Sequence, residues 1–232
     1  YNQEVLCKFL GSSLTLVAAD VIAKMSIDPI IHTKDGLDVY VKPQAGHSYT
    51  LVADVAKGVG GDYSAFQVID ITETPYRVVA KYRSNMISPL LYPNVIYKVG
   101  KEYNEAYVLL EINISEQVAH ILYSELEYEN ILFVSRHTDG QVVGGGFGGG
   151  KTQLGVNTDK KVKRIGCHNF KAMIEENKLI ITDADTISEI STFIETKGSY
   201  SADEGYHDDL VMPLVLFGWL TTNPYFKDLN NI

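Results

Sequence analysis

The stretch SYTLVADVA, residues 48–56, reads as a β-strand with one charged residue where an apolar one would be expected. Successive side chains of a strand point to opposite faces, so Asp54 shares its face with Val52. Burying an isolated carboxylate is costly, and proteins tolerate it where the group is paired or binds a metal ion. Asp54 is therefore a candidate functional residue, and a place in a turn is the ordinary alternative.

Two similar stretches follow, SAFQVIDI at residues 64–71 and YRVVAKY at residues 76–82. Both are rich in β-branched and aromatic residues, and Gly, Asp, Thr and Pro separate them from their neighbours. The short connections predict an antiparallel meander of three strands.

Downstream, helical and strand patterns alternate. The predicted helices are residues 88–104, 115–129 (opened by Ser115), 167–177, 184–195 and 207–222, and the predicted strands are residues 106–112, 131–135 and 178–182. This order predicts an α/β fold with a mixed sheet flanked by helices. Residues 1–47 are less regular: 14–25 fit a strand or a buried helix, and 29–49 fit a hairpin or an extended linker.

Residues 136–164 lose this periodicity and predict an insertion. Its centre, GGGFGGGKT at residues 144–152, contains the GxxxxGKT form of a nucleotide-binding P-loop. A P-loop needs a buried strand before the glycines and a helix starting at the Lys-Thr pair, and the flanking RHTDGQVV and QLGVNTDKK provide neither. A glycine-rich β-hairpin is predicted instead, without ATP binding in this chain.

Composition limits the class of protein. The chain has 232 residues, 45% of them hydrophobic, which suits one large domain, and no apolar run long enough to span a membrane. It begins at Tyr1 without an initiator Met or a signal segment, which predicts a fragment of a longer polypeptide that is not secreted. Cys7 and Cys167 lack metal-ligand spacing and predict free buried thiols in a reducing compartment. The net charge of −9 argues against a surface that binds nucleic acid everywhere, but not against a local groove.

Further acids recur at the ends of apolar segments. Glu111 closes the strand at residues 106–112, and Asp208 and Asp209 precede an apolar helix whose first turn accommodates Pro213, with Asp209 as its N-cap. Each has an ordinary alternative, a strand-end ion pair or a helix cap. Acids from two strands and one helix start can nevertheless converge at one sheet edge. Such hard oxygen ligands suit Mg²⁺ or Mn²⁺, and two ions about 4 Å apart can hydrolyse a phosphodiester.

Other polar residues extend this hypothesis. Asp62 can line the site or stabilise a turn, and His207 can position water or phosphate or hydrogen-bond to the carboxylates. A basic segment holds a single acid, Asp159, and predicts contacts with DNA phosphates, the alternative being a solvated charge run. Its basic residues are Lys151, Lys160, Lys161, Lys163, Arg164 and Lys171. Phe217 and Trp219 are predicted to belong to the core.

Three stretches together resemble the C-terminal nuclease domain of the large terminase subunit of tailed bacteriophages, especially those with contractile tails. They are ADVAKGVGGDYSAFQVIDI (53–71), YVLLEIN (107–113) and EGYHDDLVMPLVLFGWL (204–220). The resemblance spans residues 48–220 and implies an RNase H-like fold of the resolvase/integrase type. It implies a metal-dependent endonuclease that cuts concatemeric viral DNA during packaging into proheads. The ligands it implies are Asp54, Glu111 and Asp209, with Asp208 as a neighbour that can substitute.

The resemblance also implies partners and a setting. These are double-stranded DNA, an ATPase domain N-terminal in the same polypeptide, the portal and the small terminase subunit, on the prohead in the host cytoplasm. Residues 1–47 would then hold the end of the ATPase domain, a linker and an N-terminal hairpin, and residues 48–232 the nuclease domain. The leading hypothesis is a divalent-metal endonuclease with little sequence specificity. The alternatives are a DNA-gripping module whose nuclease is weak or silent and, least favoured, a P-loop nucleotide-binding protein.

Overall fold

The structure, a computed structural model, describes residues 14–57, 60–137, 140–144 and 151–229. Within these ranges the helices are α1 (Ala19–Ile22), α2 (Tyr92–Glu102), α3 (Gln117–His120, continued by a π-helical turn over Ile121–Glu125), α4 (Lys160–Glu175), α5 (Ala184–Ser191), α6 (Val211–Leu220) and α7 (Pro224–Leu229). The strands are β1 (His32–Lys34), β2 (Leu37–Val39), β3 (Tyr49–Asp54), β4 (Ser64–Asp70), β5 (Tyr76–Ser84), β6 (Tyr107–Leu110), β7 (Phe133–His137), β8 (Gly140–Gly144), β9 (Lys151–Leu154), β10 (Leu179–Ile180), β11 (Phe193–Thr196) and β12 (Ser199–Ala202).

The main sheet has seven strands in the order β1-β2-β5-β4-β3-β6, with β10 pairing in parallel to β5. Strands β3, β4 and β5 form the predicted antiparallel meander. Strand β6 lies parallel to β3, because α2 crosses over between β5 and β6. The hairpin of β1 and β2 pairs onto β5, so one of the two predictions for residues 29–49 is confirmed. The boundary at residue 48 remains a prediction.

Helices cover both faces of the sheet, and the alternation along β3 explains how. Leu51 packs in a core with residues of α2 and α3, such as Ile96 and Leu122. Its neighbour Val52 packs on the other face in a core with residues of α4 and α6. The mixed sheet flanked by helices predicted from the sequence is thus confirmed.

Helices α4 and α6 pack closely through two glycines. A Cβ atom on Gly166 would lie 2.3 Å from the carbonyl oxygen of Val215, and one on Gly218 would lie 2.6 Å from that of Gly166. Phe217 and Trp219 of α6 are buried in the core, as predicted. The close packing fixes α6 against the sheet, and two of the predicted acids lie just before the start of α6.

The glycine-rich segment differs from its prediction. Strands β8 and β9, which flank the glycine run, do not pair with each other; both pair with β7, which is the middle of a three-stranded antiparallel sheet. A hairpin is present, but β7 and β8 form it. Residues 145–150 lie outside the described residues. Because Lys151 begins a strand and not a helix, the segment lacks the geometry of a P-loop.

Several predicted boundaries were wrong. Helix α4 begins at Lys160, within the predicted insertion, and helix α5 ends at Ser191, where a tight hairpin of β11 and β12 replaces its predicted last turn and the loop after it. Ser115 is not a helix cap, since the helix begins at Gln117 after Glu116.

The remaining sequence predictions concern the cysteines and membrane crossing. Cys167 is buried, which also raises the pKa of its thiol to about 11, and Cys7 lies outside the described residues. None of the described helices is both long and apolar enough to cross a membrane.

Candidate active site

The parallel pairing of β3 and β6 brings the first two acids together. Ala53 lies opposite Leu110, and the Glu111 backbone N–H donates to the Ala53 carbonyl at 2.8 Å, so Asp54 and Glu111 occupy neighbouring positions at one sheet edge. Their carboxyl groups share a hydrogen bond. The convergence of these two strand-end acids at one edge is as the sequence predicted.

The third acidic position lies at the start of α6. The Asp208 carbonyl accepts the N–H groups of Val211 and Met212, so the first turn of the helix winds directly after the pair of aspartates. The prediction of Asp209 as the N-cap was wrong, because Leu210 is the cap residue and has no side-chain capping bond. The Asp209 carboxylate turns away from the helix, and its Oδ1 accepts the Tyr63 N–H at 3.1 Å.

These residues surround a cleft of about 430 Å³. Four of the five acids singled out from the sequence line it, together with His207. The lining residues are Asp54, Val55, Ala56, Lys57, Gly61, Asp62, Tyr63, Ile114, Tyr206, His207, Asp208 and Asp209. Glu111 is buried and is not among them; it reaches the cleft through its contact with Asp54.

The electrostatics of the cleft show an excess of negative charge. Burial raises the pKa of the Asp54 carboxyl well above its usual range, and the hydrogen bond to Glu111 and the charges of the other acids raise it further. Burial also raises the pKa of Asp209, although the Tyr63 N–H and the charge of His207 oppose this. Such a cluster favours protonation of its members or the binding of a cation.

The donor set fits a hard divalent cation. Asp209 is 7% exposed, and its Oδ2 is buried without a hydrogen bond; His207 Nδ1 lies 3.4 Å away and makes no hydrogen bond to it. Among the residues described, no three acidic, histidine or cysteine side chains are grouped so that they could hold one ion between them. Mg²⁺ commonly takes one or two protein carboxylates and keeps several waters, so a preassembled three-ligand cage is not required.

A second layer of side chains surrounds Asp209. The Arg83 guanidinium carbon lies 3.9 Å from the centre of the Tyr63 ring, and its Nη1 lies 3.4 Å from Glu189 Oε1. Glu189 Oε2 accepts the Leu210 N–H at 2.8 Å. Burial raises the pKa of Glu189 to about 7, although the Leu210 N–H and the charge of Arg83 lower it.

Sequence reasoning missed this layer and part of the cleft wall. Lys57, three residues after Asp54, and Tyr63, directly after Asp62, had a signal in their closeness to predicted acids. Arg83 and Glu189 had none, because they meet the site only through long-range packing.

The predicted basic segment lies at the start of α4. The Asp159 carboxylate caps this helix by accepting the N–H groups of Lys161 and Val162. Just before it, the Thr158 N–H donates to the side chain of Asn113, two residues after Glu111, at 2.9 Å. The helix therefore starts near the strand end that carries Glu111.

Four of the predicted basic residues lie in the first two turns of this helix and not in a loop. They are Lys160, Lys161, Lys163 and Arg164. Lys171 lies further along the same helix. The side chain of Lys151 lies outside the description.

A mixed sheet with helices on both faces and an acidic cleft at one edge places this chain in the RNase H-like class of α/β domains. Residues 51–217 match the family described as the terminase RNase H-like domain, and the chain belongs to this family.

Solved structures show the same fold. The large terminase nuclease of the thermophilic phage G20c with bound magnesium is similar over 89% of this chain and 97% of its own, with 17% identity and a TM-score of 0.68. The large terminase nuclease domain of the Thermus phage P74-26 is similar over 84% of this chain and 90% of its own, with 20% identity and a TM-score of 0.60. A longer large terminase, from another thermophilic bacteriophage, is similar over 78% of this chain and 41% of its own, with 10% identity and a TM-score of 0.53. The RNase H-like fold is thereby confirmed.

Proposed function

We propose that this chain is a metal-dependent DNA endonuclease that cuts concatemeric viral DNA during genome packaging into proheads. The observation that carries the proposal is a cleft lined by Asp54 and the pair Asp208–Asp209, with Glu111 in contact with Asp54, in a chain of the terminase family. The G20c nuclease, crystallised with magnesium, supports a divalent cofactor.

Within this proposal, Asp54, Glu111 and Asp209 hold two Mg²⁺ or Mn²⁺ ions, and Asp208 is a neighbour able to replace Asp209. Bound metal would polarise a phosphoryl oxygen and lower the pKa of the attacking water. The carboxylates would position the ions and, through them, the reacting groups. His207 and Asp62 support the site from the cleft wall, and no covalent intermediate on the protein is needed.

The proposal assigns DNA binding to the basic start of α4. Lys160, Lys161, Lys163 and Arg164 would contact backbone phosphates, with Lys151 from the preceding strand, which gives strong salt dependence and little sequence specificity. An ATPase domain in the same polypeptide, the portal and the small terminase subunit complete the proposed machine on the prohead in the host cytoplasm. The fit of this chain to 41% of the longer phage terminase supports a further domain in the full polypeptide.

Plasmid digestion tests the nuclease directly. Supercoiled plasmid is incubated with wild type, Asp54→Asn or Asp209→Asn in Mg²⁺, Mn²⁺ or EDTA. We expect cutting by wild type in metal only, and a loss in either variant greater than the roughly 10- to 100-fold typical of removing a group that supports a metal ligand. Asp20→Asn, at an exposed ion pair with Lys24, is the matched control and should cut as wild type. If both cleft variants cut as well as wild type, the assignment is wrong.

A DNA-gripping module with a weak or silent nuclease is the second candidate. The observation that favours it is the hydrogen bond between Asp54 and Glu111, together with the lack of a three-ligand group in the described part of the chain. Two measurements separate the candidates: metal-free gel shifts for DNA binding, and plasmid digestion in Mn²⁺ for cutting. Tight DNA binding without cutting in Mn²⁺ favours the gripping module.

A further inference from the structure

We propose that Tyr63, Arg83 and Glu189 form a bracket that holds Asp209 in its working orientation, and that the three are positioning residues of the nuclease site. This inference rests on the proposed function, because it assigns roles around the same carboxylate. None of the three was singled out from the sequence.

The first contact of the bracket fixes one oxygen of Asp209. The Tyr63 backbone N–H donates to Oδ1 at 3.1 Å, while Oδ2 is buried and has no hydrogen bond. Because Oδ2 makes no hydrogen bond and its contact with His207 Nδ1 is longer, at 3.4 Å, this oxygen can bind a cation while Oδ1 is held. Carboxylates that bind metals are usually oriented by such hydrogen bonds.

The second contact fixes Tyr63 itself. Tyr63 is the last residue of the loop between β3 and β4. Its backbone N–H keeps a fixed position only if contacts of its side chain hold the residue in place. The Arg83 guanidinium carbon lies 3.9 Å from the centre of the Tyr63 ring, and the His207 ring packs against it at 90°, with the two ring centres 5.2 Å apart. A planar guanidinium on an aromatic face fixes the ring in a way that an ammonium group cannot.

The third contact closes the bracket through Glu189. This residue is 7% exposed, and its Oε1 lies 3.4 Å from Arg83 Nη1. Its Oε2 accepts the N–H of Leu210, the residue after Asp209. Glu189 thus connects the arginine that holds Tyr63 with the backbone next to Asp209, so the group that holds Oδ1 and the backbone that carries this carboxylate belong to one connected set of contacts.

The test compares variants of the bracket by Mn²⁺ binding, measured without DNA by electron paramagnetic resonance, and by kcat and KM on plasmid. We expect Tyr63→Ala and Arg83→Met each to weaken Mn²⁺ binding and lower kcat by about 10- to 100-fold, with KM for DNA unchanged. Tyr63→Phe keeps the ring and should lose less Mn²⁺ affinity and less kcat than Tyr63→Ala. Arg83→Lys should not restore binding. The double variant should be no worse than the poorer single variant, because both act through one bracket.

Arg77→Met is the matched control, since Arg77 lies on the same strand and pairs with Asp28 at 2.6 Å, outside the bracket. Wild-type Mn²⁺ affinity in folded Tyr63→Ala and Arg83→Met overturns the proposal. The proposal is also overturned if the losses of Mn²⁺ binding in the two single variants add up in the double variant and each loss follows the fall in melting temperature. Such a result would indicate a purely structural role. If Arg83→Met does not fold, Tyr63→Ala decides, because its side chain is only partly buried.

Failure of the proposed function looks different in the same experiment. It appears as no cutting by wild type, or as cutting by Asp209→Asn at the wild-type rate. The Mn²⁺ measurement still tests the bracket in that case, because it needs no cleavage.

Discussion

Lys81 shows how a single buried residue can connect three elements. Its side chain is 3% exposed on β5 and lies 3.5 Å from Asp38 of β2 and 3.2 Å from Asp183, the N-cap of α5, with Asp185 of that helix also in contact. Burial alone would raise the pKa of Asp183, but the charge of Lys81 and the hydrogen bonds from Thr186 and Tyr40 outweigh it and lower that pKa. The Asp183 contribution to stability is therefore present above the unfolded-state pKa of about 4 and is lost as the pH falls through the lower folded-state value.

Lys81→Met should destabilise the protein by about 3–5 kcal/mol at pH 7, because it leaves the buried Asp183 charge without its cation. Loss of the Lys81 charge raises the pKa of Asp183 in the folded variant above its wild-type value. The deficit relative to wild type should therefore shrink as the pH falls through that raised pKa, because Asp183 is then protonated in the variant and needs no cation. Urea unfolding at several pH values measures both effects. Lys24→Met, at an exposed ion pair, is the control and should stay within about 0.5 kcal/mol of wild type. A deficit independent of pH would contradict this account.

Among the elements, the contact between α4 and α6 sets the position of the aspartate pair. Gly166→Ala places a methyl group 2.3 Å from the Val215 carbonyl oxygen, which is backbone and cannot move aside without shifting α6. We expect a loss of about 1–3 kcal/mol in the free energy of unfolding, despite the better helix propensity of alanine. Because Asp209 lies directly before α6, plasmid cutting should fall as well.

Gly144→Ala is the matched control for this change, since a Cβ atom there meets nothing within 4 Å. It should leave stability unchanged or raise it slightly. Equal stability of the two variants would show that the helices can separate at little cost, and the explanation by close packing would then be wrong.

The elements also show what the sequence can and cannot predict. The strand of Asp54 and the helix after Asp209 were predictable, because their apolar patterns are local and the acids interrupt them. The hairpin of β11 and β12 was not predicted, since Phe193 and Ile194 continue the helical spacing of α5. Its signal is the two-residue turn at Lys197–Gly198, where both residues have positive φ, as a type I′ turn requires.

The residues of the site can also be sorted into those that the sequence predicts and those that it does not. Asp54 and Glu111 meet because β3 and β6 are neighbouring parallel strands that end at the same edge of the sheet. This meeting can be predicted once the order of the strands is known. Asp209 was placed correctly near the helix start, but its hydrogen bond from Tyr63 joins positions 146 residues apart, which no local pattern predicts. Arg83 and Glu189 reach the surroundings of Asp209 from distant parts of the chain, so no local pattern marks them.

Charge is distributed unevenly over the whole molecule. The chain has a net charge of −9, and the cleft is acidic, yet the first two turns of α4 carry four basic residues. An acidic protein can bind a polyanion only where local charge opposes the net charge and where cations offset the carboxylates. The basic start of α4, near the Glu111 strand end, provides the first of these conditions, and a bound divalent ion would provide the second.

The salt dependence of DNA binding tests whether this local charge is used. Lys160→Gln/Arg164→Gln removes two exposed cations one helical turn apart on α4, and Lys98→Gln/Lys101→Gln removes two exposed cations from α2 on the opposite face of the sheet. Both variants change the net charge equally, so a general charge effect would weaken DNA binding equally. Fluorescence anisotropy in EDTA measures the slope of log K against log salt concentration for each variant. If α4 contacts phosphates, the magnitude of this slope should decrease by about one for each phosphate-binding cation removed. We therefore expect a decrease of about two in the α4 variant and no decrease in the α2 variant. Equal slopes in the two variants would mean that the basic segment is a solvated charge run and that DNA lies elsewhere on the molecule.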